Sequence, residues 1–276
     1  MTRAVAHADV RLPSLAHLVV VRIGYENRTF FRRTQAWAFT MLFPIVFLLL
    51  FGFIFTGKVE GTNVTYAQLL FAGIIGSSIM STGFVGLAIG IAVERDQGTL
   101  KRLGGLPLPR SAYFLGKVGH VILVTLVEMV ILAAMGVVLF DVSVPTSPSR
   151  LLTLLWVFVL GITAASLTGI TVGGLIASGK SAPAVVNLPF VVLQLVSGVF
   201  IPFNQLPSWL STASGVFPLR WIVQGMRSAF LPDQFKYVEV AHNWQHGLTA
   251  LILGAWCLAG FRLCLRTFNW LKKSER

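Results

Sequence analysis

The sequence predicts an all-α polytopic membrane protein, and three observations carry that prediction. Of its residues 55% are hydrophobic and only 12% charged, against about a quarter charged in a soluble domain. Six apolar runs approach or exceed the roughly 20 residues that cross a bilayer as a helix. The basic residues behind the net charge of +12 gather at the ends of those runs, where membrane topology places them, so the charge does not point to a nucleic-acid partner.

Residues 1–36 hold no span and form the N-terminal segment. Ser14 is an N-cap signal after Pro13. From there Leu15, Leu18, Val19, Ile23 and Phe30 fall on one helical face while Arg22, Arg28, Arg32 and Arg33 thicken toward the end. This predicts an interfacial amphipathic helix with its arginines toward anionic lipid; a plain positive flank to the first span is the alternative. No cleavable leader is read, and the first apolar run is predicted to be an uncleaved anchor.

The membrane domain is predicted over 37–270, with spans at 37–56, 67–93, 118–140, 151–178, 182–202 and 248–265, then a short tail at 271–276. Trp37 is read as an interface anchor of the first span, and Trp244 and Trp270 as brackets of the sixth. Six crossings leave both termini on one side. Lys and Arg number 17 on that side and five on the other, which predicts that both termini face the cytoplasm. The localisation expected is the plasma membrane, or the inner membrane of a bacterium. The fourth span carries Gly161, Ala165, Gly169, Gly173 and Ala177 at intervals of four, a seam for close helix packing. Cys257 and Cys264 lie seven apart in one run. As a helix this separates them by roughly 10 Å, beyond disulfide reach.

Between the second and third spans, 93–117 is long and polar for a hairpin, with five Lys or Arg, two acids and two prolines. Between the fifth and sixth, 203–247 predicts a short helix from Pro207-Ser208 and a second from Pro218. The second carries an apolar stripe of Leu219, Ile222, Val223, Met226 and Phe230, with Arg220, Gln224 and Arg227 on other faces. The pair reads as helices dipping into or lying on the outer leaflet, as a gate or as a passive lid.

Residues 174–181, GLIASGKS, match the phosphate-loop pattern from Gly174 to Ser181. That chemistry needs a strand before the loop and a helix N-terminus after it. Here a spanning helix precedes it and Pro183 follows, so the match reads as a decoy. Glu128 sits near the middle of the third span, where an acid is costly and therefore paired or functional. An interhelical hydrogen bond is the first reading, and a substrate or proton contact, with His120 as a relay partner, the alternative. In the fifth span Asn187 and Gln194 are seven apart, near Phe190 and Ser197; such amides pair across helices. No metal-ligand spacing and no nucleophile–base–acid set appears, so the chain is not read as an enzyme.

In order, Glu94, Arg95, Asp96, Gln97, Gly98, Thr99, Leu100, Lys101, Arg102 and Leu103 resemble the E-R-x-x-G-T-L-x-x-L segment of ABC-2 exporter permeases. Pro107, Leu108, Pro109 and Arg110 with Leu115-Gly116-Lys117, the stretch from Ser197 to Pro202, and Phe217-Pro218-Leu219 are similar to its other motifs, over about residues 15–270. Gly104-Gly105 depart from the bulkier residues common there. The resemblance implies a permease subunit of an ATP-driven exporter, paired with a second permease copy, identical or not. ATP and Mg would be held by separate nucleotide-binding subunits, with no cofactor on this chain. It also implies a coupling helix on which Glu94, Arg95, Gly98, Thr99, Leu100, Arg102 and Leu103 meet the ATPase. Asn187, Phe190, Gln194 and Ser197 would line a pathway at the dimer axis. A hydrophobic or amphipathic cargo is expected. Polysaccharide or glycolipid export is the alternative within the family, and ion-coupled transport through Glu128 the alternative outside it.

Overall fold

The computed structural model describes residues 13–267, and no strand occurs among them. Arg3 and Arg11, Trp270 and the tail at 271–276 lie outside the described residues. Helix α1 spans Leu15–Arg32, with the Ser14 side chain accepting the His17 N–H as the N-cap. Its arginines divide: Arg28, Arg32 and Arg33 are exposed, but Arg22 is buried. This corrects the expectation that all four face headgroups. The cause is a trough in α6 (Arg110–Phe140), where Gly116 and Gly119 let the Arg22 and Ile23 side chains lie against the backbone.

Among the described residues, five helical runs are long and apolar enough to cross a membrane. They are α2, within Thr34–Ile54; the continuous run Tyr66–Asp96; α6; α7, Pro148–Leu175; and α11, His246–Thr267. The run Tyr66–Asp96 comprises α3 (Tyr66–Met80), a π-helical segment (Ser81–Gly86) and α4 (Leu87–Asp96). It is the central helix: 78% of its apolar window is buried, against 22–44% for the others. A capping box between Thr65 and Gln68 starts it. Helix α7 lies along it through the small-residue ladder. A Cβ at Gly169 would fall 2.7 Å from the Phe84 carbonyl oxygen, and one at Gly173 2.7 Å from that of Ala88. The seam therefore packs within one chain, where close backbone approach supplies dispersion contacts that lipid cannot.

The structure shortens the polar connection. Helix α4 runs on to Asp96 and α6 begins at Arg110 rather than at 118, so only 97–109 joins them, with α5 (Thr99–Gly104) in the middle. The residues between Arg110 and Lys117 read as loop by composition, yet they are helical because Tyr113 and Lys117 are paired inside.

The helix of the fifth expected span is shorter than its apolar run. Helix α8 is only Ala182–Val196, about 22 Å long, short of the roughly 30 Å hydrocarbon core. It stops because Gly198 takes a left-handed conformation, φ 76°, and the Phe203 ring occupies the space a Cβ would need there. Gly179, before α8, packs on the Val93 backbone, and Val199, after it, packs on Gly73. The chain from 179 to 199 thus runs antiparallel beside the central helix from 93 back to 73.

Helices α9 (Ser208–Ser214) and α10 (Pro218–Phe230) occur where the sequence placed them. However, every residue of α10 is buried. It is inserted among α3, α7 and α11 and does not lie on a lipid surface. Its arginines are accommodated inside. Arg227 donates to Glu239 at 3.1 Å and to the Gly198 carbonyl, and Arg220 donates to Ser211 O and, at 3.3 Å, to Ser214 Oγ. Both guanidinium groups stand over the Phe203 ring, at 4.7 and 5.0 Å.

Candidate functional site

Glu94, Arg95 and Asp96 end the central helix at the end of the bundle that carries α1 and α5. Successive helical positions turn by about 100°, so the three side chains reach three different neighbours. Glu94 accepts from Lys117 Nζ and from the Tyr113 hydroxyl at 2.8 Å, both on α6. Lys117 also donates to Glu26 on α1 at 2.9 Å, and Glu26 pairs with Arg22 at 2.5 Å. Arg22 in turn stands over the Tyr113 ring at 5.1 Å. The series Arg22, Glu26, Lys117, Glu94 alternates in sign and sums to zero. That is the condition under which four charges are tolerated in a low-dielectric site.

Arg95 Nη1 donates at 2.7 Å to the carbonyl of Gly174, in the last turn of α7, where helix carbonyls lack partners and carry partial negative charge. Asp96 Oδ2 accepts from Gly179 N–H and, at 3.2 Å, from Ser178 Oγ. Three adjacent charges therefore fasten the central helix to α1 and α6, to α7, and to the turn before α8.

The segment 97–109 hangs from this anchorage. Gly98 takes φ 70°, a conformation glycine adopts without penalty, and turns the chain into α5. Leu100 is 1% exposed and packs into the core, which removes it as an outward contact. Thr99 and Leu103 are half-buried; Lys101, Arg102 and Leu106 are exposed. The seven expected interface residues thus separate into inward fasteners (Glu94, Arg95, Leu100), the hinge Gly98, and an outer face of Thr99, Arg102 and Leu103. Leu106 extends that face, and sequence reasoning did not single it out. Helix α5 ends at Gly104, with Gly105 as its cap, so the glycine pair sets the C-terminal boundary.

The phosphate-loop match falls on the end of α7 and the six residues 176–181 that lead to the start of α8. No strand precedes it, and the Gly179 N–H that would face a phosphate is held by the Asp96 carboxylate.

Of the four expected pathway residues, Phe190, Gln194 and Ser197 are buried, and Gln194 Nε2 donates to Ser77 Oγ on α3. Asn187 is exposed, so the two amides of α8 do not share an environment. Beside Gln194 a crevice opens between α2, α3 and the end of α8. It is lined by Phe43, Pro44, Phe47, Ile74, Ser77, Ser78, Ser81, Gln194, Val199 and Phe200. Phe39, Phe43, Phe47, Phe51 and Phe55 form a ladder of ring contacts along α2, each pair between 4.3 and 5.9 Å. Glu128 is 2% exposed, with Ser78 and Thr82 beside its carboxyl. His120 is engaged elsewhere, its Nδ1 3.0 Å from Asn27 Oδ1 and its ring against Phe30.

The family model described as ABC-2 type transporter matches residues 18–231. The Escherichia coli K12 protein named "Probable multidrug ABC transporter permease YbhR" is 23% identical over 175 residues, covering 63% of this chain and 47% of that protein. A protein of Porphyra purpurea named as a transport permease, ycf38, is 24% identical over 202 residues, covering 71% of this chain and 68% of its own length. The chain thus matches about half the length of the bacterial relative.

Proposed function

The chain belongs to the ABC-2 type transporter family, and on that premise we propose that it is the permease subunit of an ATP-driven exporter. It moves a hydrophobic or amphipathic molecule outward across a plasma or bacterial inner membrane, beside a second permease copy. ATP and Mg are bound and used by a separate nucleotide-binding subunit. The bacterial relative's name, a multidrug permease, supports the cargo class.

The observation that carries the reading is the anchored segment 97–109. A force applied to its outer face at Arg102 and Leu106 reaches α1, α6, α7 and α8 at once, because Glu94, Arg95 and Asp96 tie the end of the central helix to them. A flexible loop would dissipate such a force. The chain crosses the membrane six times, α8 and the residues up to 199 forming the fifth crossing. Supporting this, the 20 residues between Gly73 and Val93, which the 179–199 stretch runs beside, measure about 30 Å as a helix, the hydrocarbon thickness. Both termini face the cytoplasm, supported by the excess of Lys and Arg on that side.

Arg102→Glu tests the proposal. The substitution is exposed and should leave the unfolding temperature of the permease unchanged. It should weaken co-purification of the ATP-binding subunit, or permease-dependent ATP hydrolysis, about tenfold. Wild-type assembly and coupled ATPase activity in this variant would refute the docking role of α5.

A further inference from the structure

We propose that Glu128 is a positioning residue for coupling. It clasps a joint in the central helix, the π-helical segment Ser81–Gly86, at which the cytoplasmic half of that helix moves relative to the outer half. The proposal rests on the reading of the chain as an export permease and names where the force received at 97–109 becomes movement within the membrane.

Three observations converge, and the first is the backbone. The 31-residue run Tyr66–Asp96 is α-helical on both sides of Ser81–Gly86 and π-helical within it. A π turn closes from residue i to i+5 and so holds one residue more than an α turn; such turns are rare and frequent at functional sites. The segment reads STGFVG, with two glycines and no proline, so no missing N–H forces the wide turn. Helices kink at turns of this kind.

The second observation is that the two halves are tied to different parts of the protein. In the outer half Gln68 Nε2 donates to Asp141 O at 3.0 Å, Ser77 accepts from Gln194, and Gly76 lies against Val223 of α10. In the other half Glu94, Arg95 and Asp96 are tied to α6, to α7 and to the turn before α8. A displacement of one set of partners relative to the other is therefore concentrated in the segment between them. Helix α7 leaves room for it. A Cβ at Gly169 would fall 2.5 Å from the Gly83 carbonyl oxygen and 2.7 Å from that of Phe84.

The third is Glu128, 2% exposed on α6, whose carboxyl has the hydroxyls of Ser78 and Thr82 as hydrogen-bond partners. Ser78 belongs to the last turn of α3 and Thr82 to the π-helical segment. One carboxyl on a neighbouring helix thus holds both sides of the entrance to the joint. An acid at mid-membrane is costly and is kept for a purpose. Without it, both hydroxyls can turn back to carbonyls of their own helix, and the joint loses its hold on α6. Glutamine offers an acceptor and a donor at the same place; a hydrocarbon side chain offers neither.

The test begins with the full chain alone in phosphatidylcholine nanodiscs, read by hydrogen–deuterium exchange. Amides of residues 82–90 should exchange about tenfold faster than those of 69–80. Gly86 is exposed, and a Cβ there would meet only the Ser81 carbonyl oxygen, at 3.7 Å. Its deletion removes the extra residue, closes the segment to an α turn and should bring exchange down to the level of α3. The flanking helices keep their partners, so the unfolding temperature should not fall. In the assembled complex, permease-dependent ATP hydrolysis by this deletion variant should drop about tenfold. Glu128→Leu should quicken exchange at 82–90 further and lower that hydrolysis severalfold, while Glu128→Gln should match wild type in both. Three results would each overturn the proposal: wild-type exchange no faster at 82–90 than at 69–80, wild-type hydrolysis by a folded Gly86 deletion, or Glu128→Gln as impaired as Glu128→Leu. If the deletion variant does not fold, wild-type exchange and the two Glu128 variants decide. A wild-type chain that fails to stimulate ATP hydrolysis counts against the exporter reading, whereas the exchange pattern is measured without an ATPase.

Discussion

Lys117→Met is expected to lower the unfolding temperature of the detergent-purified chain by about 10 °C. Methionine matches lysine in length and suits an apolar site, so the loss is electrostatic and not a cavity effect. Lys117 stands between Glu26 and Glu94, with side-chain exposures of 5%, 7% and 20%. Removing it leaves two carboxylates facing each other in a desolvated space, beside one remaining cation, Arg22. Breaking a buried ion pair from one side costs about 3–5 kcal/mol, and each kcal/mol moves a domain of this size by about 2–4 °C. The cost lies in the unpaired charge, so the double replacement Lys117→Met and Glu94→Gln, which leaves the neutral Arg22–Glu26 pair, should recover most of the loss. If the single and double variants are equally destabilised, the cluster is not held together as described.

The second large effect is expected at the other end. Arg227 is fully buried; it holds Glu239 at 3.1 Å and the Gly198 carbonyl, and lies 5.0 Å from the Phe203 ring centre. Burial pulls its guanidinium below the ordinary range and the Glu239 carboxylate opposes that pull. Arg227→Met should cost about 3–5 kcal/mol, because Glu239, itself 3% exposed, loses its partner. It should also free the chain after α8, read as faster proteolysis between 197 and 217. Arg227→Lys keeps the charge but not a fork that reaches two acceptors, and should fall between. An Arg227→Met protein that is stable and resists proteolysis would show that Arg227 does not secure α8.

The spanning helices were legible because their hydrophobic length is a local property. The α7 ladder of small residues was legible too, as Gly169 and Gly173 lie where backbone approach demands them and Gly161 lies against the Ile222 side chain. What failed was local in appearance and tertiary in cause. The start of α6 was misplaced because Arg110, Tyr113 and Lys117 look like loop, whereas the partners that make Lys117 tolerable, Glu26 and Glu94, lie 91 and 23 residues away. Burial of α10 was missed because its arginines suggested a wet face, and their acceptors come from outside the helix. At the site, the Glu-Arg-Asp triplet was visible, but its contacts reach 79 and 83 residues along the chain to Gly174 and Gly179, which no local pattern encodes. One available signal went unused. Arg22 and Glu26 are an i, i+4 pair on an otherwise apolar face, opposite a helix with glycines at 116 and 119; that combination marks a buried polar seam.

On the proposed function, segment 97–109 receives the ATPase. The direct measurement places a photoactivatable benzophenone on Arg102→Cys, in a chain with Cys257 and Cys264 replaced by serine, and irradiates membranes that contain the assembled complex. The expected result is a cross-link to the ATP-binding subunit whose yield changes when ATP and vanadate are added. A subunit that assembles with the permease but cross-links only from positions remote from 97–109, with or without nucleotide, would contradict it.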